Sequence, residues 1–163
     1  MPVAIFVAAV VLYAAVAAQD LRQRRVSNFL CAGIAVLGLA RWAVLMQVAP
    51  AALAVAAAIV LFGLGILFFS RGWLGGGDVK LITATALLIG AYDTPAFLFL
   101  MSIIGSVLAL VILLYLKLGP LFGASLHESD GTAIAAADRF KVPYGVAVAI
   151  AASVVVFLQI QRA

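Results

Sequence analysis

The chain has 163 residues, of which 67% are hydrophobic and only 10% are charged. A soluble domain of this size could not bury so much apolar surface, so lipid must surround most of the chain. A membrane-spanning helix uses roughly 20 apolar residues, so five or six spans leave no room beyond one domain over residues 1–163. The single cysteine, Cys31, excludes a disulfide framework and a cysteine-based zinc site. The net charge of +4 does not indicate nucleic-acid binding, because the basic residues flank apolar segments.

Six apolar runs predict the helices, in chain order at residues 3–18, 29–49, 51–69, 81–92, 95–116 and 142–160. The first run ends in small residues as a secretory signal does, but its arginines follow it, which favours a retained helix. The fourth run reaches spanning length only if the chain from about Asp78 also lies at membrane depth. We therefore predict an all-α polytopic membrane protein with six transmembrane helices.

The positions of lysine and arginine predict the orientation of these helices. Most of them fall in the first, third and fifth loops, at Arg22, Arg24, Arg25, Arg71, Lys80, Lys117, Arg139 and Lys141. By the positive-inside rule those loops are cytoplasmic and both termini face outward. Arg41, within the second run, does not fit this pattern, and we expect its side chain to extend toward the outer interface.

Two aspartates are predicted at the cytoplasmic face, whereas Asp93 belongs to the outer side. Asp20 ends the first helix, and Asp78 follows three glycines and begins the fourth. Two neighbouring carboxyls share a proton, so one can activate water while the other polarises a peptide carbonyl, as in aspartic proteases. A simple N-cap at Asp78 and a solvated loop residue at Asp20 are the alternatives. The three glycines favour catalysis, because they remove side chains from around the acid and let a peptide backbone approach it.

The helix ends predict which carboxyl holds the proton. Asp78 begins a helix, where the positive end of the dipole favours the anion. Asp20 ends a helix, where the dipole disfavours the anion, so we predict the higher pKa for Asp20. The neighbouring arginines, Arg22, Arg24 and Arg25, oppose this order.

These residues resemble the type IV prepilin peptidases, polytopic aspartic proteases of the GxGD class. The family pattern Gly-x-Gly-Asp-x-Lys, usually followed by Leu or Phe, is matched at Gly75, Gly77, Asp78, Lys80 and Leu81. Asp20 with its following basic residues and Val26-Ser27-Asn28 is similar to a second family motif, except that Ser27 replaces a proline. Ser27 and Asn28 can cap the second helix instead. A third motif, Pro-Tyr/Phe-Gly before the last helix, is matched at Pro143, Tyr144 and Gly145.

The resemblance implies a role for each matched residue. Asp20 and Asp78 form the catalytic dyad, and Gly75 and Gly77 give the loop backbone freedom and the substrate access. Lys80 lies near the dyad and tunes its charge, although a positive-inside lysine explains it equally well. The remaining positions support or line the site, although a proline in a first helical turn is also ordinary: Asn28, Pro143, Tyr144 and Gly145. No metal or organic cofactor is implied.

The implied substrate is a prepilin whose short basic leader is cut after a glycine, just before its hydrophobic helix. The cut would occur at the cytoplasmic face of the bacterial inner membrane. Bifunctional family members carry an N-terminal segment with paired cysteines and also methylate the new N-terminus. This sequence starts at the peptidase core and resembles the short, peptidase-only form that serves Flp/Tad pili, so methyltransferase activity is not expected. The expected partners are therefore the prepilin and the lipid bilayer.

Other interpretations stay open at this point. A small proton- or ion-coupled transporter would also use intramembrane carboxyls and glycine-broken helices, but both aspartates lie at one face and the helix interiors hold few polar residues. An inactive pilus-assembly scaffold is a third possibility, which the intact aspartate pair argues against. In the fifth loop, His127 and Asp130 could ligate a metal, but a solvated loop is the simpler interpretation. Docking of the basic leader on Glu128 and Asp130 is a further possibility.

Overall fold

The computed structural model describes residues 2–23, 25–118 and 144–162. All regular secondary structure in these ranges is α-helical, which confirms the all-helical prediction. The helices in chain order are α1 (Val3–Gln23), α2 (Asn28–Leu45), α3 (Val48–Ser70), α4 (Gly76–Ile89), α5 (Thr94–Leu118) and α6 (Tyr144–Gln161).

Five of these helices are long and apolar enough to cross a bilayer: α1, α2, α3, α5 and α6. Helix α4 has only 14 residues. At 1.5 Å per residue it rises about 21 Å, short of a hydrocarbon core of about 30 Å. The polytopic membrane prediction is confirmed by these five candidate spans. The count of six spans and the outward orientation of both termini stay predictions.

Helix α4 is central to the bundle, where it packs against α2, α3 and α6. Helix α1 packs against α6 and α2, and α5 packs against α6. Small residues on α6, among them Ala151 and Ala152, are fully buried and let neighbouring backbones approach closely. The buried Tyr13 hydroxyl of α1 donates a hydrogen bond to Thr85 Oγ1 of α4 at 3.2 Å. This packing brings the C-terminal end of α1 and the N-terminal ends of α4 and α6 to one end of the bundle.

At the opposite end, α4 stops at Gly90, whose φ of 93° ends the helix. The last carbonyls of a helix have no intrahelical partner, and lipid offers no donors. Side chains from three other helices supply them. The donors are Arg41 to Leu88 O, Trp42 Nε1 to Leu87 O at 2.8 Å, Gln159 Nε2 to Ile89 O at 2.7 Å and Thr94 Oγ1 to Gly90 O at 2.8 Å. These bonds explain how a helix too short to span the bilayer can end among apolar helices.

The expectation that Arg41 extends to the outer interface is wrong. Its side chain is only 8% exposed, and its guanidinium lies 4.7 Å from the centre of the Trp42 ring. The guanidinium is directed inward because a helix C-terminus attracts a cation and Leu88 O needs a donor. Asp93 also lies at this end, where it accepts a hydrogen bond from Gln159 at 2.6 Å.

Candidate active site

Asp20 lies near the C-terminal end of α1, and its side chain is buried, with 5% of its surface exposed. The backbone N–H of Val146 donates a hydrogen bond to Asp20 Oδ2 at 3.2 Å. Val146 belongs to the first turn of α6, whose N–H groups have no intrahelical acceptor. The carboxyl of Asp20 therefore lies against the positive end of a second helix, α6.

Gly145 leaves the space that the Asp20 carboxyl occupies. A Cβ atom on Gly145 would lie 2.8 Å from Asp20 Oδ2, 2.9 Å from Cγ and 3.1 Å from Cβ. Real Cβ atoms essentially never approach other heavy atoms within 3.0 Å, and the conflict includes the rigid base of the aspartate side chain. Glycine is therefore required here for α6 to approach Asp20.

Asp78 lies in the first turn of α4, outside the five candidate spans, and is partly buried. Burial, followed by the negative charge of Asp20, raises the pKa of Asp78 from its ordinary value of 3.8 to about 6. A hydrogen bond from the Gly75 backbone opposes this increase. The electrostatic effect means that the two carboxyls, 58 residues apart in sequence, lie close enough to influence each other's ionisation.

Each of the three glycines before Asp78 lies close to a different neighbouring residue. A Cβ on Gly75 would lie 2.9 Å from Asp78 Oδ2, whereas on Gly76 it would lie 3.3 Å from the Phe69 ring and on Gly77 3.4 Å from Val26 Cβ. Gly75 has an ordinary φ of −73°. Glycine at these positions thus permits close packing rather than an unusual backbone conformation, and of the three only Gly75 has Asp78 as its nearest neighbour.

Lys80 and Asn28 form a contact with each other. Lys80 Nζ donates a hydrogen bond to Asn28 Oδ1 at 2.9 Å, which joins α4 to the start of α2. The structure therefore shows Lys80 as a bridge between two helices, and its effect on the charge of the dyad stays a prediction.

Ser27 caps α2 in the way the sequence predicts. Its Oγ accepts a hydrogen bond from the Phe29 N–H at 3.2 Å. Its own N–H, which a proline would lack, donates to Gln19 Oε1 at 3.0 Å. Compared with proline, serine at this position therefore adds one backbone N–H donor. Its hydrogen bond is accepted by Gln19, the residue directly before Asp20.

The remaining predicted residues have different outcomes. Tyr144 is 43% exposed, and its ring lies beside Gly105 of α5, where an added Cβ would meet it at 3.6 Å. Pro143 lies outside the described residues. So do His127, Glu128 and Asp130 of the fifth loop. Within the described ranges, no group of three His, Cys, Asp or Glu side chains is placed to hold a metal ion.

Two contributors to this site were not predicted from the sequence. The Val146 N–H acts through the backbone, so its residue type gives no signal beyond its place in the first turn of a helix. Gln19 did give a signal, because it is a polar residue at the end of an apolar helix and directly precedes Asp20.

A family model described as the type IV leader peptidase family matches residues 5–110, about two-thirds of the chain. The chain belongs to this family. No curated protein and no solved structure matches the chain. The matched range includes Asp20 and Asp78 and ends before α6. The resemblance to prepilin peptidases is therefore confirmed, and family membership supports a peptidase rather than a transporter.

Proposed function

We propose that this member of the type IV leader peptidase family is an aspartic endopeptidase whose catalytic dyad is Asp20 and Asp78. The observation that carries the proposal is the placement of Asp20 and Asp78 at the same end of the bundle, where burial and the charge of Asp20 raise the pKa of Asp78. A carboxyl with a pKa of about 6 holds its proton far more often near neutral pH than an ordinary aspartate does. Two carboxyls in different protonation states are what acid–base hydrolysis of a peptide requires.

In this proposal Asp20 is the base and Asp78 is the acid. Asp20 accepts the Val146 N–H, which stabilises its anion, and its negative charge in turn raises the pKa of Asp78. Asp20 takes a proton from water as the water oxygen attacks the scissile carbonyl carbon, while Asp78 donates its proton to the carbonyl oxygen. When the tetrahedral intermediate collapses, Asp78 takes that proton back, the C–N bond breaks and Asp20 passes its proton to the leaving amine nitrogen. This assignment reverses the order expected from the helix ends. It is supported by the Val146 N–H at Asp20 and by the raised pKa of Asp78.

The proposed substrate is a prepilin of the Flp/Tad type with a short basic leader. Family membership supports a prepilin-type substrate, and the positive-inside orientation would place the dyad at the cytoplasmic face of the bacterial inner membrane, where such leaders lie. The cut would precede the hydrophobic helix of the prepilin.

Co-expression with a Flp-type prepilin tests the proposal. Gel mobility of the prepilin, followed by mass spectrometry of its N-terminus, is compared for the wild type, Asp20→Asn and Asp78→Asn. Processing should be lost in both variants, since each removes one of the two required groups. Asp93→Asn is the matched control and should process normally, because Asp93 lies beyond the opposite end of α4. Processing that survives either dyad substitution refutes the assignment.

A further inference from the structure

The residues that directly precede the two aspartates both contact the same short segment. This segment is the α1–α2 turn, which we define as residues 25–27. Gln19, on the α1 side, accepts a hydrogen bond from Ser27 N–H through Oε1 at 3.0 Å. Gly77, on the α4 side, faces Val26, whose Cβ, O and N would lie 3.4, 3.5 and 3.7 Å from a Cβ on that glycine.

These contacts make the turn a spacer between α1 and α4. Asp20 directly follows Gln19 and Asp78 directly follows Gly77, the two residues that contact the turn. A shift of the turn would therefore change the distance between the two carboxyls. The turn is held by different kinds of contact on its α4 side and on its α1 side. The α4 side is held by packing of Val26 on Gly77 and, one residue beyond the turn, by the bond from Lys80 to Asn28. The α1 side is held by the hydrogen bond from the Ser27 N–H to the Gln19 side chain.

We propose that Gln19 is a positioning residue, which holds the α1–α2 turn against Gly77 and thereby fixes the spacing of the Asp20 and Asp78 carboxyls. This inference rests on the proposed function, because the spacing matters only if the two groups act together. Gln19 does not touch the substrate in this account. It acts through Ser27, and its removal changes geometry rather than chemistry.

The backbone at Ser27 permits a sharp test of this idea. Ser27 has a φ of −66°, the value that a proline ring imposes. Ser27→Pro therefore keeps the φ of this residue but deletes both the N–H that Gln19 accepts and the hydroxyl that caps α2. Ser27→Ala, by contrast, deletes only the capping hydroxyl and keeps the N–H. Gln23→Ala is the matched control on α1, since Gln23 is exposed and ends the same helix.

The kinetic prediction concerns kcat and KM for prepilin cleavage by purified protein. Gln19→Ala should lower kcat at least tenfold and change KM less than about twofold, because small misplacements of reacting groups are costly to rate. Ser27→Pro should lower kcat similarly, and the double variant should be no slower than either single one. Ser27→Ala and Gln23→Ala should keep kcat within about twofold. Unchanged kcat in Gln19→Ala, or effects that multiply in the double variant, would overturn the proposal.

A second readout needs no cleavage and so separates this inference from the proposed function. The titration of Asp78 is followed by its infrared carboxyl band in the wild type and in Gln19→Ala. Asp78 faces Asp20 from α1 and the Cys31 thiol from α2, and Lys80 follows it on α4. Helices α3 and α6 contain no charged residue.

A wider spacing of the carboxyls weakens the effect of Asp20, so the Asp78 midpoint should fall in Gln19→Ala. A lower melting temperature with an unchanged midpoint would mean that Gln19 only stabilises the fold, and would refute the positioning role. If Asp20→Asn or Asp78→Asn still cleaves prepilin while the midpoint shifts as expected, the proposed function fails and the positioning of the carboxyls stands.

Discussion

The substitution Asp20→Asn should lower the pKa of Asp78, which makes the electrostatic contact between the two groups measurable. Asparagine keeps the size of the side chain and an oxygen for the Val146 N–H, so the main loss is the negative charge. The increase in the pKa of Asp78 from 3.8 to about 6 corresponds to about 3 kcal/mol between its two protonation states. Burial is the larger cause and persists in the variant. The midpoint should therefore fall by roughly one pH unit and stay above 3.8.

Infrared difference spectroscopy of the protein in detergent or nanodiscs measures this midpoint. The Asp78 band is assigned by its disappearance in Asp78→Asn, and Asp93→Asn serves as the control that should leave the midpoint unchanged. A midpoint in Asp20→Asn that equals or exceeds the wild-type midpoint would refute the reasoning. In that case the charge of Asp20 would not reach Asp78, and the shared-proton mechanism would lose its basis.

Three further predictions follow from the contacts of single residues. Because the folded-state pKa of Asp78 lies above its unfolded value, the free energy of unfolding should fall as pH rises from about 4 to about 6, by at most about 3 kcal/mol. This pH dependence is measured by thermal unfolding at pH 4.5 and 7.5, and Asp78→Asn should abolish it. A wild-type protein whose stability rises over this window would contradict the prediction. Gly145→Ala should reduce cleavage at least about 100-fold, because its Cβ would displace Asp20. The matched control is Gly63→Ala, which should cleave normally because no heavy atom lies within 4 Å of its Cβ. Equal cleavage rates for the two variants would refute the packing argument. Arg41→Ala should destabilise the protein by about 1–3 kcal/mol because it leaves a carbonyl of α4 without its donor, and an unchanged unfolding midpoint in denaturant would show that this bond is dispensable.

The features predictable from the sequence were those encoded locally. The apolar runs gave the helices, and the fourth run was already short for a span. The position of Asp20 and Asp78 at one end of the bundle followed from charge placement and chain order. The cap at Ser27 was readable from residue type alone.

The features that could not be predicted depend on contacts between distant residues. The Val146 N–H that Asp20 accepts lies 126 residues away, and any residue but proline could supply it. Arg41 was expected at the interface because a charge within an apolar run is costly, but α4 ends early and its carbonyls offer a buried partner. The contact between Asp20 and the N-terminus of α6 likewise depends on packing, because Val146 and Asp20 lie on different helices.

The central claim is that Asp20 and Asp78 act as one catalytic unit. It is tested most directly by initial rates of prepilin cleavage with the purified protein, its two single aspartate-to-asparagine variants and the double variant. Groups that act as a unit are non-additive, so all three variants should show similar residual rates, far below the wild-type rate. A single variant that retains substantial cleavage, or a double variant slower than both by the product of their separate effects, would contradict the account.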